Sequence, residues 1–199
     1  MAPINNVWVS RQNGLDVAVE AASDWLDQNA ANYSRRALLI PIKGELSGAK
    51  GPLAEYISNG NVGSLKGDAT TPGGPVLALG PTLKLLDTAI NLADRQALAV
   101  VEHTPNSLDG WAAATNALNL ETGEPTPGVP AEIHEALVQV QKAGNNGYPK
   151  RKEPYFAAMV EPPIEMLIEH GYSANFVASY LVALGVFGSS AQDLKKIYR

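Results

Sequence analysis

The chain has 199 residues, 45% of them hydrophobic and 18% charged, with a formal net charge of -5 and no cysteine. Such a length and composition describe a chain that folds around its own core and needs no disulfide or metal staple. The acidic balance argues against nucleic acid as a partner, and the missing thiols exclude thiolate nucleophiles, thiol redox chemistry, iron–sulfur clusters and cysteine-ligated zinc. The first fourteen residues, MAPINNVWVSRQNG, lack the basic stretch and apolar run of a secretory signal. No segment approaches the ~20 apolar residues that cross a bilayer. The expectation is a soluble, cytoplasmic protein with no membrane partner.

In chain order, Val7-Trp8-Val9 is a short apolar run. Gly14 then precedes a helical pattern in which Leu15, Ala18, Val19, Ala22, Trp25 and Leu26 recur at spacings of three and four. Ala37 to Ile40 is a continuous apolar run with Pro41 at its end, as a strand tolerates. A glycine-rich loop, Lys43 to Gly51, leads to a short helix opened by Pro52, a residue suited to a first helical turn. Residues 60–74, GNVGSLKGDATTPGG, read as a long loop. Val76 to Leu79 reads as a buried strand, and Gly80-Pro81-Thr82 turns the chain into a helix carrying Leu83, Leu85, Leu86, Ala89, Ile90, Leu92 and Ala93. Ala97 to Val101 is a further strand, followed by a helix from Asn106 or Ser107 through Trp111 to about Leu118.

Strands with no polar alternation suit a sheet covered on both faces, and strand–helix–strand order implies parallel crossovers. The fold class predicted is α/β: a three-layer, mostly parallel sheet of about four strands with a helical C-terminal extension. Residues 121–130, ETGEPTPGVP, hold three prolines and two glycines and mark the one boundary. Residues 1–120 then form the sheet domain, 121–130 a linker, and 131–199 a helical region packed on the sheet. In that region Ile133, Ala136, Leu137 and Val140 form one stripe. Pro162-Pro163 predicts a break with a helix starting near Ile164, Ser173 caps the next helix, and Ser189 or Ser190 caps the last.

Ligands of parallel sheets bind outside the carboxyl ends of the strands. Three loops should reach that rim: Lys43 to Gly51, Gly80 to Thr82, and Glu102 to Asn106. In the first, Lys43, Ser47, Gly48, Lys50 and Gly51 could meet an anion before the helix at Pro52, and Thr82 adds a hydroxyl from the second. The loop lacks the spacing of a phosphate-binding P-loop, and no dinucleotide-binding glycine pattern follows any strand. Glu102 and His103, at a strand end, are the candidate acid–base pair. His134 and His170 have structural positions, no metal-ligand spacing occurs, and no cofactor is implied.

Residues 164–184 resemble a helix-turn-helix in spacing only: no Lys or Arg lies between Lys152 and Lys195, so DNA recognition is disfavoured. The expectation carried forward is a protein that binds a small molecule or anion at the strand-end rim, with catalysis by Glu102 and His103 as its sharper version. The alternative is a non-catalytic interaction or self-assembly module using an apolar helical surface or the basic loop Lys150-Arg151-Lys152.

Overall fold

The computed structural model describes residues 5–42, 46, 48–59, 61–66, 72–94, 96–103, 108–144, 147–148 and 154–198, with backbone alone for 154–157. Its centre is a sheet of seven strands: β1 (Asn6–Ser10), β2 (Ala37–Ile40), β3 (Val62–Ser64), β4 (Val76–Leu79), β5 (Leu98–Glu102), β6 (Leu118–Asn119) and β7 (Glu124–Pro125). They lie in the order β3-β2-β4-β5-β1-β6-β7. Every neighbouring pair is parallel except β6 with β7, which is antiparallel.

The four strands expected from apolar runs are the four in the middle. The other three, of two or three residues each, correct the count from about four to seven. A two- or three-residue strand carries too little pattern to show a period. β3 sits within the glycine-rich segment 60–74, and β7 within the proline-rich segment 121–130. Pro125 is tolerated there because β7 is the edge of the sheet, where a missing N–H breaks no further ladder. Thr126 fastens this edge: its hydroxyl accepts from the Trp8 indole and donates to the Ala117 carbonyl, both at 2.8 Å.

Alternate side chains of the central strands enter two separate cores. Leu39, Ala78 and Val100 pack on one face, while Leu38, Leu77 and Ala99 pack on the other. The second face is covered by α1 (Leu15–Asn29) and α2 (Pro52–Ser58) through residues such as Val19, Leu26 and Tyr56. The first is covered by α3 (Leu83–Ala93) and α4 (Asp109–Thr115), and then by the C-terminal helices. These are α5 (Ala131–Ala143), α6 (Pro154–Glu169), α7 (Ala174–Ala183) and α8 (Gly188–Ile197). The result is three layers, with the C-terminal helices in one buried cluster with the sheet. Glycines set the closest crossings: a Cβ at Gly110 of α4 would overlap the Phe176 carbonyl, and one at Gly188 would overlap the backbone of Leu83 and Lys84.

Three helix expectations need correction. α4 ends at Thr115, and Leu118 belongs to β6. α6 runs through Pro162 and Pro163 without a break. Each proline removes a helical donor, yet Val160, Pro163, Ile164 and Leu167 form one buried stripe spanning both, and that packing holds the turn. α8 starts at Gly188, so Ser189 and Ser190 lie inside its first turn. Ser173 does cap α7, accepting from Phe176 N at 3.1 Å. Among the described residues no helix is long and apolar enough to cross a membrane.

Two phenols lock the C-terminal layer. Tyr148 donates to the Val140 carbonyl at 3.1 Å, and Tyr198 donates to the Tyr172 carbonyl at 2.6 Å. Burial pushes both up from the ordinary tyrosine value of 10.0, Tyr198 to about 12. Between pH 10 and 12 the unfolded chain therefore releases phenolic protons that the folded chain retains. The unfolded state binds fewer protons in that window, so stability falls as pH rises. Urea midpoints should decline from pH 9.5 to 11.5, and Tyr198→Phe should make that decline shallower. An unchanged slope in the variant would contradict the assignment.

Candidate functional site

β2, β4, β5 and β1 lie side by side and point the same way, so their carboxyl ends form one rim. After β2 the chain turns to the face covered by α2, whereas after the adjacent β4 it turns to the face covered by α3. The same divergence separates β5, which leads to α4, from β1, which leads to α1. Two neighbouring loops that leave in opposite directions cannot fill the space between them, which is why open parallel sheets carry crevices at such points. Here both points open into one cleft of about 550 Å³.

Its floor is the strand ends: Ile40, Leu79 and Val101. Leu15, Leu46 and Leu53 rise on one side, and Leu83 and Leu108 on the other. Polar groups ring them: Arg11 after β1, Thr82 at the start of α3, His103 after β5, Asn175 at the start of α7, and Gln192 and Lys195 of α8. No Asp or Glu is among the described residues that line it.

Gly80 makes the close packing of this rim feasible. Its φ is +49°, and a Cβ there would lie 2.9 Å from the His103 Cβ. Its N–H donates to the Val101 carbonyl at 2.8 Å, which extends the β4–β5 ladder to the cleft edge. Thr82 caps α3, its hydroxyl accepting from Leu85 N at 3.4 Å.

Arg11 and His103 meet at 2.5 Å, guanidinium to Nδ1. A guanidinium has donors only, so Nδ1 is the acceptor and the ring carries its proton on Nε2. The remaining ring N–H of His103, at Nε2, is left to donate elsewhere. Glu102 is turned elsewhere. It is 3% exposed, and its carboxylate accepts from Leu108 N at 3.0 Å, tying the start of α4 to the end of β5. Adjacent residues leaving a strand face opposite sides, which separates Glu102 from His103 despite their adjacency. No hydrogen bond joins the two among the described residues.

Of the residues singled out from sequence, Thr82 and His103 line the cleft. Gly48, Lys50 and Gly51 are not among its lining residues, and their loop contributes Leu46 instead. Lys43 and Ser47 lie outside the described residues, as do Lys150, Arg151 and Lys152. His134 pairs with the Tyr180 hydroxyl at 2.9 Å, and His170 donates to the Met166 carbonyl at 2.9 Å. No group of three or more metal-ligating side chains occurs among the described residues. The second helix of the helix-turn-helix spacing is α7, whose residues Val177 to Val182 are buried.

Arg11 and Lys195 were absent from the sequence expectation. Arg11 had a signal: it follows the first strand directly, and a parallel β1 must end at the same rim as its neighbours. Lys195 had none, since its place depends on how α8 docks. That docking is specific. Asp87 on α3, held by Asn91 Nδ2 at 2.9 Å, accepts from Gly188 N at 2.9 Å and so caps α8 across 101 residues of sequence. Lys196 is paired with Asp193 at 2.6 Å, while Lys195 has no carboxylate partner among the described residues.

Removing the interhelical cap with Asp87→Ala should cost about 0.5–2 kcal/mol of stability. Asp87→Asn keeps an acceptor oxygen and should recover most of it. Urea denaturation of the three proteins checks this, and equal losses in the two variants would contradict it. In comparisons with known proteins, the chain matches no family model, no curated protein and no solved structure.

Proposed function

We propose that this protein binds a small organic anion in the cleft at the carboxyl ends of β1, β2, β4 and β5. One observation carries the reading. Arg11, near one end of the chain, and Lys195, near the other, are brought to a single concavity that no described carboxylate lines. Cations on an open surface are usually matched by nearby acids or simply solvated. Two at a cleft with no acid among its described lining residues attract a negative ligand, and the low-dielectric walls of the cleft strengthen that attraction. The volume suits a small molecule, since ligand pockets commonly span roughly 300–1,000 Å³.

Each polar group has a role in this reading. Arg11 and Lys195 supply charge-assisted donors to the anionic group. The His103 N–H, the Thr82 hydroxyl and the amides of Asn175 and Gln192 orient it. Glu102 positions α4 behind the site and does not touch the ligand. A general-base role for His103 is disfavoured by the Arg11 contact, which occupies its lone pair. The alternative of a non-catalytic docking module draws its support from apolar side chains exposed on α6, Met159, Met166 and Ile168.

The test is thermal shift and calorimetry with a panel of carboxylates and phosphate monoesters beside their uncharged amides and alcohols. At least one anion should raise the melting temperature more than its neutral counterpart, as linkage requires of a ligand of the folded state. Arg11→Met and Lys195→Met should each weaken it roughly tenfold or more, the range of a lost hydrogen bond between charged groups. Lys196→Met should leave binding unchanged. A flat panel, or equal effects of the Lys195 and Lys196 variants, would overturn the reading.

A further inference from the structure

The cleft's apolar surface restricts which anions fit. If the site holds an anion as proposed above, its chemical class follows from what the rest of the cavity can and cannot recognise. The floor and walls are aliphatic: Ile40, Leu46, Leu53, Leu79, Val101 and Leu108. Among the described lining residues there is no Phe, Tyr or Trp. A nucleobase or flavin ring would find no aromatic face on which to stack, the interaction that commonly holds such rings. The absence of Asp and Glu from the described lining also removes the usual acceptors for ribose or sugar hydroxyls. Thr82, Asn175 and Gln192 can meet a hydroxyl at the rim, but hydroxyls placed over the aliphatic floor would face leucine, isoleucine and valine side chains without partners, which is costly.

An alkyl chain has the opposite requirement. It needs apolar area removed from water, and it needs no partner for hydrogen bonds. Four of the six aliphatic residues, Ile40, Leu53, Val101 and Leu108, are 5% exposed or less, so they form a fixed surface belonging to the core. Leu46, by contrast, is half-buried at the cleft margin and can be covered by an incoming chain. The polar groups lie around this surface and supply one charged rim. An aliphatic floor with a cationic rim is complementary to an amphipathic anion.

We infer that the ligand is an aliphatic monocarboxylate or alkyl phosphate of short to medium length. Its chain lies over the strand ends, and its anionic head reaches Arg11 and Lys195. This inference rests on the anion-binding reading, but it can fail while that reading survives.

Calorimetry on the full chain separates the cases. The probes are hexanoate, octanoate and decanoate, each below its micellar concentration, with octyl phosphate, octanamide, glycerol phosphate and AMP alongside. The dissociation constant should tighten about three- to fourfold for each added methylene until the cleft is filled, the increment expected for burying one CH₂. Octanamide should bind at least tenfold more weakly than octanoate, and glycerol phosphate and AMP more weakly still. Octanoate binding should weaken in Arg11→Met and Lys195→Met.

AMP or glycerol phosphate binding more tightly than octanoate, with dependence on Arg11 and Lys195, would overturn the aliphatic class and leave anion binding standing. So would affinity that does not change from hexanoate to decanoate. Octanamide binding as tightly as octanoate, or no binding by any probe, would overturn both.

Discussion

The parallel ladder of β2, β4, β5 and β1 carries the rest of the molecule. The side chains of β2, β4 and β5 are buried on both faces and those of β1 largely so, and each buried backbone N–H and C=O must find its partner in the neighbouring strand. That requirement fixes the direction and alignment of all four, and the shared direction brings four carboxyl ends to one edge. Side chains alternate between the two cores, which obliges helices to cover both faces. The chain must then depart from adjacent strands in opposite directions. The cleft is a geometric consequence of these demands, present before any polar residue is placed in it.

The C-terminal helices turn this crevice into a walled site. α8 reaches the rim because Gly188 packs against the backbone of α3 and because Asp87 satisfies its first-turn donor. Asn175 arrives by the same logic, from α7 seated against Gly110 of α4. Residues that never touch the cleft therefore decide which polar groups face it. Glu102 belongs with them: it is a buried carboxylate that ties the start of α4 to the end of β5 through Leu108 N.

Much of this architecture was legible in the sequence. Uninterrupted apolar runs revealed the four central strands, three- and four-residue spacings revealed α1 and α3, and the Ser173 cap marked the start of α7. The strand-end rim followed from parallel direction, and Thr82 and His103 were placed on it. Features set by tertiary contact were not legible. Two-residue strands have no period of their own, and α6 keeps its helix through Pro162 and Pro163 because of the packing beneath them. A cap supplied by Asp87 cannot be seen near residue 188. The candidate pair Glu102 and His103 rested on their place at a strand end; successive residues of an extended chain diverge, so the Glu102 carboxylate accepts from Leu108 N while His103 lines the cleft. Lys195 lay beyond reach for the same reason as the Asp87 cap: its position depends on one helix docking against another.

The account stands on Arg11 and Lys195 facing a common cavity from opposite ends of the chain. Because the sequence contains no cysteine, a variant carrying Arg11→Cys and Lys195→Cys can be labelled at those two positions alone. A short flexible bismaleimide added to the dilute, folded variant should link the two within one chain, as peptide mass analysis would show. A folded variant that takes up only separate adducts at the two positions would contradict the account.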